Sequence, residues 1–309
     1  LALRAAGHAV TVLDDLSTGR AVAVGDVPLL RVSATDAQAL ADVFAAHRFD
    51  ALMHFAAKVL VAESVADPLP YYATNVGGTL ALIRAAVAAG VRQVVFSSSA
   101  AVYGAPERVP VDEDAAIAPI NPYGATKAMS ERVLADAAAA GALRYVALRY
   151  FNVAGADPQL RTGEARPAAS HIINVACQAA VGKRPGVSIY GTDYPTADGT
   201  CVRDYLHVSD LADAHVAALD YLAGGGESVA LNCGYGRGYS VREVITALDA
   251  LLDAPLKVDL AGRRAGDPPS LVADAARIRT VLRWQPRHAD LGFILRTALA
   301  WERKLLAGG

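Results

Sequence analysis

Cysteine is scarce. Cys177, Cys201 and Cys233 are odd in number, scattered and without CxxC spacing. That excludes a disulfide framework and a cysteine-built zinc site, so no metal is expected, and it fits a reducing cytoplasm. Charge of one sign is not in excess either. Lys+Arg of 29 stand against Asp+Glu of 31, a net charge of −2, which gives no electrostatic reason for nucleic acid or an anionic membrane as partner. Long apolar runs are missing. The alanine-rich run 135–140 is short and bracketed by Asp136 and Arg144, so no membrane span is expected. No repeat period suggests a solenoid or propeller.

Two absences concern the N-terminus. Position 1 is not Met, and no signal-peptide pattern is present. Residues 1–7 read as the last turns of a helix closed by Gly7 as C-cap. No GxGxxG-like or GxxGxxG-like run occurs anywhere. The expectation is a chain that opens in the middle of a helix, with a first strand and glycine-rich pyrophosphate loop preceding residue 1. The turn Gly234–Gly238 is glycine-rich but lacks a following GK[ST], so it reads as a tight turn before a helix capped by Ser240.

What is present is strand–helix alternation. The chain has 309 residues and 53% hydrophobic content, enough for one large or two modest domains. Apolar β-rich runs at 9–13, 29–32, 51–55, 93–96 and 145–148 are separated by helical patterns at 37–47, 71–89 and 122–140. This predicts an α/β fold, a Rossmann-like doubly wound parallel sheet covered by helices on both faces. From residue 153 proline and glycine become frequent and the alternation loosens. A dinucleotide-type domain over 1–170 and a smaller α/β substrate domain over 171–309 are predicted, with 205–222 packing back on the first. A helix over 209–222 with Ser209 as N-cap is predicted within the second.

Ligands of such sheets bind beyond the carboxyl ends of the strands. Asp14, His54–Ala57, Ser97–Ser99 and Arg149–Asn152 all fall at strand ends, and so on one predicted rim. An acidic residue at the end of the second strand of a dinucleotide fold binds adenosine ribose, which makes Asp14 a candidate; a surface aspartate is the plainer alternative. Asn121 at the N-cap and Pro122 at the first position start a helix. Tyr123 then lies in its first turn and Lys127 one turn on, on the same face. A free phenol, with a pKa near ~10, is a poor base. A neighbouring ammonium and the positive helix end favour the phenolate. Taken alone, Tyr-x-x-x-Lys is an amphipathic pair on most helices. Ser99 at a strand end gives it weight, because its hydroxyl can bond the substrate oxygen that Tyr123 deprotonates. Ser97 and Ser98 read as strand-end polarity. Arg203 and Arg264 are candidate clamps for a diphosphate, since guanidinium matches phosphate geometry.

The strings Leu13–Ser17, His54–Ala57 and Glu63-Ser64, Tyr71-Tyr72 with Asn75–Thr79, the set Ser99, Tyr123 and Lys127, Leu148–Ala156, Asp198–His207 and Arg263–Asp267 closely resemble the UDP-glucose 4-epimerases. These belong to the extended short-chain dehydrogenase/reductase superfamily, and the resemblance covers essentially the whole chain. It implies a reversible inversion at C4 of a UDP-hexose through a transient 4-keto sugar, with tightly held NAD and no net redox. It implies Ser99, Tyr123 and Lys127 as catalytic residues. For the cofactor it implies Asp14, Phe55, Ala56, Ala57, Asn75, Ser97 and Tyr150, beside Tyr123 and Lys127. For the UDP-sugar it implies Asn152, His171, Arg203, Arg264 and Asp267, with Ser99 and Tyr123 at the sugar. A cytoplasmic homodimer, paired through helices 79–89 and 122–140, is implied too. Departures are Ser33 where the family has an adenine-side aspartate, Asn174 for a proline, and Leu271 at the place that admits or excludes N-acetylated sugars. A dehydratase or decarboxylase of the same superfamily, or an N-acetylhexosamine 4-epimerase, are the alternatives. The former usually carries acidic residues beside the serine, where this chain has Ala100-Ala101.

Overall fold

Val94, Val95 and Phe96, and on the neighbouring strand Val146, Ala147 and Leu148, are apolar in unbroken runs and wholly buried. Such strands must lie between two covering layers. The computed structural model describes residues 1–166, 169–264 and 266–308. In chain order its strands are β1 (Val12–Leu13), β2 (Leu29–Leu30), β3 (Ala51–His54), β4 (Gln93–Ser97), β5 (Arg144–Tyr150) and β6 (Asn152–Ala154). They continue with β7 (Val187–Tyr190), β8 (Val202–His207), β9 (Val229–Cys233), β10 (Gly238–Ser240), β11 (Val258–Ala261) and β12 (Ser270–Leu271).

The central sheet has the order β3-β4-β5-β9, every pairing parallel. One face carries Val95, Val146 and Leu148 against Ala214, Ala218 and Leu222 of the helix Val208–Ala223. The other carries Val94, Phe96 and Ala147 against Ile83 and Leu134, from the helices Gly78–Ala88 and Pro122–Ala139. This is the doubly wound arrangement read from the sequence. β1 and β2 form a separate parallel pair, and only Val12-Leu13 of the apolar run 9–13 enters it.

A second core holds Ile173, Cys177, Ile189, Tyr205, Val244, Leu248 and Leu295. Around it β8 pairs with β6, β10 and β12, while β7 pairs with β11. β6 follows β5 after one residue, so β8 is joined directly to the carboxyl end of the central sheet.

Two helical expectations change. The run 71–89 is not one α-helix: Tyr72–Gly77 is a π-helical turn. Its centre is Asn75, whose carbonyl accepts the hydroxyls of Thr79 at 2.5 Å and Ser130 at 3.2 Å, which competes with the regular ladder. The helix after β8 is capped by His207 rather than Ser209, because imidazole Nδ1 accepts the Ser209 amide at 3.1 Å.

Candidate active site

Asn121 caps the helix Pro122–Ala139 by accepting the Gly124 amide at 2.8 Å. The cap fixes Tyr123 in the first turn. Tyr123 is almost wholly buried. Burial raises its phenol above the ordinary value, as does the nearby Tyr150 hydroxyl; a side-chain hydrogen bond from Ser99 and the charge of Arg166 oppose the rise. Lys127, one turn on, is also buried and donates to the main-chain carbonyl of Ser97 at 2.8 Å. Its ammonium lies 4.9 Å from the centroid of the Phe96 ring. Burial lowers its pKa to about 8, and Glu131 works the other way. Ser99 begins the short turn Ala100–Tyr103, its hydroxyl accepting the Ala101 amide at 3.2 Å. The strand end and the helix start therefore bring Ser99, Tyr123 and Lys127 to one place.

The other serines are not merely strand-end polarity. Ser97 Oγ lies 3.3 Å from His215 Nε2 and donates to the Tyr150 hydroxyl at 3.4 Å. Ser98 donates to the Glu131 carboxylate.

Between the β1–β2 pair and β3 lies a cleft of about 1600 Å³ that runs the length of both strands, from His8–Val10 and Asp50–Ala51 to Asp14 and His54. Asp14, Ser33, His54, Phe55, Ala56, Ala57, Lys58 and Tyr71 are among its walls. Asp14 turns one oxygen to the Leu16 amide at 2.7 Å. Its carboxyl also faces Gly19, where any Cβ would meet it at 3.0 Å; glycine permits this approach. His54 is buried and neutral, its pKa lowered to about 3 by desolvation first and Lys127 second. Its Nε2 lies 2.8 Å from the Thr79 hydroxyl, which itself donates to Asn75, so Nε2 carries the proton. Nδ1 is then an acceptor, and among the described residues it has no partner.

Asn75, Ser97 and Tyr150 do not line this cleft. Asn75 is a clamp: it accepts the Lys58 amide at 2.8 Å and donates to the Lys58 carbonyl at 3.0 Å and to Thr126 Oγ1 at 2.9 Å. It ties the cleft wall to the helix of Tyr123. Tyr71 and Arg166 make the link from the cleft to Tyr123, since both line it and both act on the phenol electrostatically. Sequence reading missed Arg166, which is gripped by Glu164 at 3.0 and 2.5 Å; no spacing signal marks it.

The residues implied for a UDP-sugar spread over the second core. Asn152 on β6 stands opposite Tyr205 on β8, two residues from Arg203. Arg203 lies 3.8 Å from the Asp267 carboxylate. Arg264 is exposed and stacks over Tyr190, 3.6 Å from its centroid. His171 ends the loop before the helix Ile172–Ala180. It is reachable by solvent but walled by protein, and desolvation with Arg166 holds its pKa below the ordinary imidazole value. No group of metal-ligating side chains occurs among the described residues, and no described helix is long and apolar enough to cross a membrane.

A doubly wound parallel sheet with a serine, a tyrosine and a lysine at its carboxyl edge defines a nucleotide-cofactor protein equipped for proton transfer. The model of the NAD dependent epimerase/dehydratase family matches residues 1–234, and the chain belongs to that family. It is 56% identical over 305 residues to a UDP-glucose 4-epimerase of Azospirillum brasilense, covering 98% of this chain and 88% of that protein. The Rhizobium meliloti UDP-glucose 4-epimerase is 48% identical, with 100% and 94% covered. The crystal structure of UDP-glucose 4-epimerase from Brucella ovis in complex with NAD superposes with a TM-score of 0.93 at 45% identity, covering 96% of this chain and 92% of that one. That of the Bifidobacterium longum enzyme in complex with NAD+ and UDP gives 0.94 at 34% identity, with 99% and 94% covered.

Proposed function

We propose that this chain is an NAD-dependent isomerase that inverts C4 of a UDP-hexose, interconverting UDP-galactose and UDP-glucose. The observation that carries the reading is the convergence of Ser99, Tyr123 and Lys127 at the carboxyl edge of the sheet, linked through Tyr71 and Arg166 to a cleft that none of the three lines. What supports the fit of a dinucleotide is the accessible carboxylate of Asp14 and the small residues Ala56 and Ala57 on the cleft wall. Asp14, Phe55, Ala56 and Ala57 would hold it on the adenosine and cleft side, with Lys127 and Tyr123 at the reacting end. Asn75 supports it by holding Lys58 of the wall, and Ser97 and Tyr150 belong to the reacting end beside Lys127 and Tyr123.

NAD bound there supplies the hydride acceptor and a positive ring near the phenol. Tyr123 takes the proton of the sugar 4-hydroxyl and returns it after the 4-keto sugar has turned over. Its raised pKa keeps the phenol protonated at neutral pH in the free site, with Lys127 and the helix N-terminus already in place, so the positive nicotinamide ring would add the pull that favours the phenolate. Ser99 holds the same sugar oxygen. Asn152, His171, Arg203, Arg264 and Asp267 bind UDP. Arg203 and Arg264 supply the charge for the two phosphates.

A homodimer acting in the cytoplasm is part of the reading. Leu80 and Met129 stand 45% and 47% exposed on the helices Gly78–Ala88 and Pro122–Ala139, and the three cysteines are free and buried. Incubation with UDP-galactose and NAD, with sugars resolved by anion exchange, should yield UDP-glucose. A 4-keto-6-deoxy product would indicate a dehydratase, and no conversion would defeat the reading.

A further inference from the structure

Three side chains of the helix Pro122–Ala139 recur every fourth residue: Tyr123, Lys127 and Glu131. The third has no part in the proposed chemistry. Yet Glu131 is buried, and so is its partner Arg149 on β5. The guanidinium meets the carboxylate through Nε at 3.0 and 3.1 Å and through Nη2 at 2.6 Å. A buried ion pair is seldom a net gain over apolar packing, because both charges give up water. Its retention here calls for a reason other than stability.

The partners beyond the pair supply one. Glu131 accepts the hydroxyl of Ser98. Arg149 donates to the Tyr103 hydroxyl at 2.9 Å, and Tyr103 donates to Asn232 on β9 at 2.7 Å. Ser98 precedes Ser99, and Tyr103 closes the turn that Ser99 opens. Both flanks of Ser99 are therefore tied to one ion pair, while its own side chain accepts the local Ala101 amide and favours the ionised form of the Tyr123 phenol. On the helix side, Lys127 grips Ser97 O and Glu131 grips Ser98 Oγ, two clasps one turn apart between the same helix and the same strand end. Glu131 is also the anion that favours the charged form of Lys127.

We propose that Glu131 and Arg149 are positioning residues of the active site, setting Ser99 and Lys127 against Tyr123. The proposal rests on the epimerase reading and deepens it. Glu131→Gln should lower kcat at least tenfold with the KM for UDP-galactose within twofold. It should also move the alkaline limb of the kcat profile to lower pH, since Lys127 loses its supporting anion while Arg149 stays. Glu131→Asp should restore part of kcat and the limb. Because Glu131→Gln strands a buried guanidinium and so risks unfolding, the charge-free pair E131M/R149M is the second variant. Folded as the wild type by circular dichroism, it should still show the kcat loss, having no acceptor for Ser98. Wild-type kcat in the folded double variant, or a kcat loss in E131Q without movement of the limb, would overturn the proposal. Failure of the reading itself is separable: the Lys127 ammonium, followed by NMR of 15N-labelled lysine and assigned with K127M, titrates without turnover. It should titrate at lower pH in E131Q, and an unchanged titration would overturn the proposal independently of activity.

Discussion

The Lys127 ammonium donates to the main-chain carbonyl of Ser97 at 2.8 Å, from a site with almost no access to water. Burial brings its pKa down to about 8. Since the charged form is the one that favours a phenolate at Tyr123, activity should fall as pH rises through about 8. The measurement is kcat against pH. A profile flat to about pH 10, where an ordinary lysine titrates, would mean that the ammonium does not assist.

Tyr123→Phe removes the hydroxyl and little volume. Turnover should drop by about 10²–10⁴-fold, the usual contribution of a positioned acid–base group. UDP affinity by calorimetry should stay within a few-fold. Parallel loss of both would assign the tyrosine a structural part.

Asn75 serves Lys58 at both backbone groups and Thr126 at its hydroxyl. Asn75→Ala leaves these groups unmatched in a buried place. A loss of about 2–4 kcal/mol is expected, from roughly 1–3 kcal/mol per stranded group with partial relaxation. Urea unfolding reads it. A loss well under about 1 kcal/mol would show that the cleft wall is not held this way.

His54, His207 and His215 are buried and neutral, with pKa values lowered by desolvation to about 3, 4 and 4. Each folded value lies below the unfolded one near 6.5. The unfolded chain therefore binds more protons between these limits, and stability falls as pH drops below about 6.5. At pH 5.5 each imidazole contributes a loss of up to about 1.4 kcal/mol. Urea midpoints at pH 7 and 5.5 test this, and His215→Gln should reduce the difference.

The sequence made the sheet, its helices and the Ser99–Tyr123–Lys127 set legible, because apolar runs and the Asn121-Pro122 start are local signals. The same holds for Ser240, whose capping box with Glu243 is present in the structure. What was not legible depends on partners distant in the chain. Asn75 reads as a cofactor residue in its motif but is occupied with Lys58 and Thr126, 17 and 51 residues away. Ser98 acquires its role from Glu131, 33 residues on. The π-turn at Tyr72–Gly77 follows from hydroxyls bonding the Asn75 carbonyl, one of them from Ser130 in another helix. Glu131 did leave one trace, a carboxylate in register with Tyr123 and Lys127 on a face that had to be buried.

Gly124 sits next to Tyr123 inside the first helical turn, and a Cβ there would come within 2.5 Å of the Ala101 carbonyl. Alanine would favour the helix by about 0.8–1.0 kcal/mol, so a stability-driven redesign would choose it. That choice would wedge the helix start away from the turn that Ser99 opens, and catalysis would suffer from a mutation that touches no reacting atom. The helix tolerates a poor helix former at this point because the missing methyl is the clearance that lets the helix start carrying Tyr123 close on the turn that Ser99 opens.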